Sequence, residues 1–128
     1  MEGQRFFVQT VRDKMIFFLI FKFYLLIFFS VIAEDFVYGL DDIPVFKNME
    51  YVEDSNVLFD KIDGRFVSSE MAGDYHVNDI KDFYISVLPN LGWEKIDENL
   101  FERGSEYLEI RLRSFNSISK IKFSIYPK

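Results

Sequence analysis

The feature that most constrains this chain is an almost unbroken apolar run, Met15 to Ala33 (MIFFLIFKFYLLIFFSVIA), placed just behind the basic residues Arg5, Arg12 and Lys14. Side chains at that apolar density are more stable in lipid than in water, so the run addresses the chain to a membrane or across one. The 95 residues after Ala33 are enough for one domain with one modest core, and too few for two.

Two fates of the run are open. At roughly 1.5 Å per residue, about nineteen helical residues come close to the ~30 Å thickness of bilayer hydrocarbon, the length of a retained anchor. The rival is a cleaved signal peptide. Lys22 divides the run, and the purer core Phe23 to Phe29 has the length of a signal peptide's apolar region. Val31-Ile32-Ala33 then offers a small residue, a spacer and a small residue ahead of Glu34-Asp35, which favours cleavage after Ala33. A buried core helix is the third reading. Basic residues before the run and Glu34, Asp35, Asp41 and Asp42 after it put the N-terminus in the cytoplasm and the C-terminal part outside. In a diderm bacterium that is the periplasm, and membrane contact is through residues 15–33 if they are retained. A start at Met15 instead of Met1 gives a more ordinary bacterial leader.

The part after Ala33 carries 11 basic and 19 acidic residues, a net charge of −8. Broad nucleic-acid binding is not expected of it, because phosphate binding depends on Lys and Arg replacing condensed counterions. The chain has no cysteine. That excludes disulfide stapling, a lipoprotein anchor, thiolate nucleophiles and Cys-ligated zinc or iron–sulfur sites.

Residues 34–50 read as a linker, with acids, Gly39 and Pro44 among scattered Val37, Leu40, Ile43, Val45 and Phe46 that are able to dock on the domain. From Tyr51 the period becomes that of strands. Asn56–Phe59 and Arg65–Ala72 flank Asp60 to Gly64, whose Asp-Gly step signals a β-hairpin turn. One helix follows: Ile80, Phe83, Tyr84, Val87, Leu88 and Leu91 make a single apolar stripe opposite Asp79, Lys81, Asp82 and Ser86. Asn78 is the expected N-cap and Asp79 suits the positive end of the helix dipole. Pro89 tightens or breaks the last turn before Gly92 reverses the chain.

Alternation returns in Trp93–Asp97, Leu100–Arg103, Glu106–Arg113 and Ile118–Tyr126. Leu108, Ile110 and Leu112, with Ile121, Phe123 and Ile125, turn toward the helix. The opposite side carries Tyr107, Glu109, Arg111, Arg113, Lys120, Lys122, Ser124 and Tyr126. The expected fold class is therefore α+β: an antiparallel sheet of about five to six strands with one helix on one face, in the order ββαββββ, preceded by an N-terminal apolar signal or anchor helix. The domain spans 51–128, after 1–33 and the linker 34–50.

The stretch FDKIDGRFVSSEMAGDYHVNDIKDFYISVLPNLGW, Phe59 to Trp93, resembles a group of functionally uncharacterised small exported alphaproteobacterial proteins with "FD…GR…" followed by "FY…LP.LGW". The resemblance covers about a third of the chain. It implies a shared fold and export. Its tightest part, Phe83-Tyr84 with Leu88 to Trp93, is helix-end grammar and transfers no active-site residue.

No catalytic constellation is legible, and no cofactor or metal is expected. His76 is the only histidine; a general-base or metal role competes with a place at the helix entrance, and no second His or Cys supports the former. Asp41-Asp42, Glu53-Asp54 and Asp60 to Asp63 lack the alternating ligands and closing Glu of a calcium loop. Gly64, Gly73, Gly92 and Gly104 stand singly, so no phosphate-cradling loop exists. Trp93 and the many Phe residues read as core. The best recognition candidate is the basic and aromatic sheet face of Tyr107, Arg111, Arg113, Lys120, Lys122 and Tyr126, where Arg forks and Tyr rings suit a lipid headgroup, a cell-wall polymer or an acidic protein; the competing reading is a plain solvated face. The leading expectation is a non-enzymatic, membrane-targeted or periplasmic domain that binds an envelope protein or anionic envelope component. The alternatives are a small hydrolase using His76 and a small-ligand carrier with an apolar cavity between helix and sheet.

Overall fold

A computed structural model of the protein describes residues 2–27 and 35–128. The chain divides into two compact units, Met1–Ala33 and Glu34–Lys128. In the first, helix α1 runs from Glu2 to Ile27. It starts well ahead of the apolar run, so Arg5, Arg12, Asp13 and Lys14 share a helix with the run's first part. Every side chain from Met15 to Phe23 is exposed. Among the described residues no helix is long and apolar enough to cross a membrane. The end of the run, residues 28–33, and the expected cleavage point after Ala33 lie outside the described residues.

The second unit is α+β. Its strands are β1 (Phe36–Val37), β2 (Leu40–Pro44), β3 (Glu50–Tyr51), β4 (Val57–Lys61), β5 (Gly64–Gly73), β6 (Glu94–Asp97), β7 (Leu100–Arg103), β8 (Glu106–Phe115) and β9 (Ile118–Pro127), with helix α2 (Val77–Val87) between β5 and β6. The main sheet has seven strands in the order β3-β5-β9-β8-β7-β6, with β4 also paired to β5, and every pairing is antiparallel. That is more than the five to six strands expected, because β3 and β4 share one edge of β5. The gap between them is bridged by the Val52 N–H donating to the Glu70 carbonyl at 2.9 Å and the Glu70 N–H donating to Ser55 Oγ at 3.0 Å. After α2 the chain enters at the far edge and meanders back through β6, β7 and β8 until β9 closes against β5.

The stretch 34–50 contains more order than a linker. β1 and β2 pair as a separate two-stranded ribbon. Val37, Leu40, Ile43, Phe46 and Met49 are all buried in the common core. Tyr84 on α2 ties this segment down: its hydroxyl donates to the Pro44 carbonyl at 2.8 Å and accepts from the Phe46 N–H at 3.2 Å.

Helix α2 lies against the inner sheet face as its stripe requires. Ile80, Tyr84 and Leu88 are buried, Phe83 and Leu91 pack at the margin of the core, and Val87 is only half-buried. Burying an aliphatic side chain of this size stabilises the fold by about 1.5–3 kcal/mol. The N-cap is His76, not Asn78; its Nδ1 accepts the Asn78 N–H at 3.2 Å, so the helix starts at Val77. Past Val87 the chain tightens into a 3-10 turn, Leu88–Leu91, containing Pro89. Gly92 then takes φ +88°, where a side chain is strained, and a Cβ there would lie 3.2 Å from Arg103 Cδ.

Candidate functional site

The alternation of β8 and β9 sorts their side chains cleanly. Leu108, Ile110, Ile121, Phe123 and Ile125 are buried under α2 and the ribbon, and Leu112 is half-buried beside them. Tyr107, Arg111, Arg113, Lys120, Lys122 and Tyr126 all stand on the other face, as the sequence led us to expect. The register pairs them: Tyr107 with Tyr126, Arg111 with Lys122, and Arg113 with Lys120. The Tyr107 and Tyr126 rings lie 5.6 Å apart. Partial burial, and then the Glu109 carboxylate, push the Tyr126 phenol above its ordinary range.

Acids also reach this face. Glu70 on β5 lies beside Lys122, and Glu109 on β8 is opposite Ser124. Arg111 Nε donates to Glu109 Oε1 at 2.8 Å, and Arg113 Nη2 to Glu70 Oε1 at 3.4 Å. Lys128 Nζ meets Glu102 at 2.7 Å and sits 5.6 Å from the Tyr107 ring centre, so its ammonium is held charged above its ordinary range. Among the described residues Lys120 and Lys122 have no ion pair. The face thus contains two consecutive cross-strand cation pairs, Arg111–Lys122 and Arg113–Lys120, only half compensated by carboxylates. Like charges directly opposite each other on a sheet are destabilising.

Two residues missed by the sequence reading extend this face. Phe115 and Ile118 face each other at the end of the hairpin and continue the outward parity of Arg113 and Lys120. They are 78% and 48% exposed. The signal was the alternation itself, carried one step beyond Arg113.

The inner face is a scaffold. Arg103 gathers three partners there: its guanidinium carbon lies 4.2 Å from the ring centre of the fully buried Trp93, Nη1 donates to the Leu91 carbonyl at 3.1 Å, and Nη2 meets Asp42 Oδ2 at 2.6 Å. Arg65 pairs with Glu106 at 2.8 Å, which raises its pKa further. His76 is exposed, and the lone pair a base would use at Nδ1 is engaged by the helix cap. Among the described residues no three His, Asp or Glu side chains gather as a metal set. Between α2 and the sheet, beside Tyr84, Ile85, Phe101 and Ile110, about 10 Å3 is open to the centre of a water molecule, which is room for one water and not for an organic ligand.

No family model, curated protein or solved structure matches the chain.

Proposed function

We propose that residues 35–128 form a non-enzymatic recognition domain that docks on an anionic component of the cell envelope through the outer face of its sheet. The observation that carries this reading is the pair of adjacent cation–cation rows, Arg111–Lys122 and Arg113–Lys120. Like charges set directly opposite each other destabilise a sheet, and here each row is only half compensated by a carboxylate. Bound phosphate or carboxylate groups relieve that repulsion, with the arginine forks taking two oxygens at once. The tyrosine pair beside them adds apolar area with hydroxyl tips.

The address completes the proposal. The exposed side chains from Met15 to Phe23, apolar except for Lys22, support a place for this helix at a membrane surface or interior. We place it at the membrane, by retention or during export with cleavage after Ala33, and the folded domain outside the cytoplasm.

The test is capture from crosslinked envelopes with tagged full-length protein and with a variant carrying Arg111→Gln, Arg113→Gln, Lys120→Gln and Lys122→Gln. The expected result is a folded variant, equal or higher in melting temperature, that recovers less of the partner. Recovery equal to that of the parent chain overturns the reading and leaves a plain solvated face.

A further inference from the structure

The distal end of the β8–β9 hairpin differs from the rest of the domain in three ways. First, it projects. β7 reaches only as far as Leu100 opposite Glu109, and β5 ends at Gly73 opposite Ser119, so residues 115–118 stand beyond both neighbouring strands. Second, an exposed apolar pair lies directly behind its short polar turn. Asn116 and Ser117 both take left-handed conformations, φ +49° and +66°, making the two-residue turn that sets Phe115 directly opposite Ile118. Third, charge is segregated toward it. Between Glu109 and Ser124 the hairpin has no acidic residue, and Arg111, Arg113, Lys120 and Lys122 supply four basic ones, while the domain as a whole is acidic. Directly behind the apolar pair come Arg113 and Lys120, both exposed.

An apolar tip with a cationic collar matches one kind of surface. Phe and Ile side chains are at home at the headgroup–acyl boundary of a bilayer, and the collar behind them lies at the depth of lipid phosphates. The acidic remainder of the domain is repelled by the same surface, which orients the molecule with the hairpin end toward it. An apolar contact on a protein offers no reason for cations to ring the tip at a fixed setback from it.

We infer that the hairpin tip, Phe115 and Ile118 with the collar Arg113 and Lys120, inserts into the interfacial layer of a membrane rich in anionic phospholipid. The inference rests on the recognition reading for its cations, and on Phe115 and Ile118 independently of it. It names lipid as the anionic component.

The absence of cysteine makes the test local. Full-length Ser114→Cys and Ser105→Cys, at the distal and proximal ends of β8, are labelled with an environment-sensitive nitrobenzoxadiazole fluorophore. Strand geometry separates the two positions by about 30 Å. Each is mixed with vesicles of phosphatidylcholine alone or of phosphatidylcholine with phosphatidylglycerol. The expected result is a blue shift at 114, quenched by lipid-borne spin labels, on the mixed vesicles only, with 105 remaining in water. Phe115→Ser with Ile118→Ser abolishes the shift while Trp93 emission stays native. Arg113→Gln with Lys120→Gln weakens the interaction behind the shift roughly 10- to 30-fold. No shift at 114, an equal shift on neutral vesicles, or a shift produced by soluble polyglutamate in place of vesicles overturns the inference. If envelope capture depends on the four cations but 114 stays in water, lipid insertion alone fails. If 114 inserts but capture is unchanged in the four-cation variant, only the broader face reading fails.

Discussion

Replacing Arg103 by alanine tests whether the inner face is held as its geometry indicates. The guanidinium lies over a tryptophan ring with no solvent exposure but is itself 32% exposed, so the cation–π contact is worth about 1–2 kcal/mol. Its ion pair with Asp42 is worth less. The two side chains are 32% and 39% exposed, and screening at that exposure limits the pair to about 1 kcal/mol or below. The hydrogen bond to the Leu91 carbonyl adds about 1 kcal/mol. Allowing for non-additivity, Arg103→Ala costs about 2–4 kcal/mol, a large fraction of the 5–15 kcal/mol typical of a domain. A domain of this size loses about 4–8 °C in melting temperature per kcal/mol, so the drop is about 8–32 °C. Asp42→Asn removes only the screened arm and costs no more than about 1 kcal/mol, an effect that shrinks further in salt. Arg103→Lys keeps the charge but not the planar stack, and falls nearer to alanine. Trp93 is the only tryptophan, so urea denaturation followed by its fluorescence reads this site directly. Equal midpoints for Arg103→Ala and Asp42→Asn would refute the dominance of the stack.

The fragment 34–128 is expected to melt cooperatively by circular dichroism, and within it Leu88→Ala, at a fully buried position, costs about 2–5 kcal/mol while Lys122→Ala changes stability by no more than about 0.5; equal midpoints refute the placement of the helix stripe. Burial holds the Tyr84 phenol neutral, with its pKa well above the ordinary value, so the unfolded chain loses that proton first and stability falls as pH rises past about 10. In an alkaline series of thermal melts Tyr84→Phe therefore starts less stable, having orphaned the Pro44 carbonyl and Phe46 N–H, but declines less steeply; parallel declines count against the assignment. Alkaline phosphatase fused after Lys128 is expected to be active, reporting a C-terminus outside the cytoplasm; an inactive fusion beside a fluorescent cytoplasmic reporter overturns that orientation.

The sequence made some elements plain and hid others for physical reasons. The α2 stripe and the β8 and β9 alternation were legible because one partner layer covers one face, so burial repeats with the element's own period. The ribbon was not. The buried residues of the ribbon and the turns after it, Val37, Leu40, Ile43, Phe46 and Met49, recur every third position, a spacing that belongs neither to a strand nor to an α-helix. β3 is two residues long and has no period at all. The helix start was misplaced by propensity: Asn78 is the better cap by type, but His76 Nδ1 is the atom that meets a free N–H.

For the candidate site, the limit of the sequence lies between strands. Alternation within β8 and β9 assigned the six face residues without any knowledge of the fold. Which of them oppose each other depends on the Asn116-Ser117 turn. With two loop residues, Arg113 meets Lys120 and Arg111 meets Lys122. A slip of one residue would have set each cation against an inward-facing neighbour and destroyed both the core and the charge rows. The presence of Glu70 on the same face depends on a still less local event, the insertion of β9 between β5 and β8 at the end of the meander. The resulting surface is therefore neither the uniformly basic patch that β8 and β9 suggest nor a neutral checkerboard. Carboxylates form ion pairs with Arg111 and Arg113, while among the described residues Lys120 and Lys122 on β9 have none, although Glu70 stands beside Lys122.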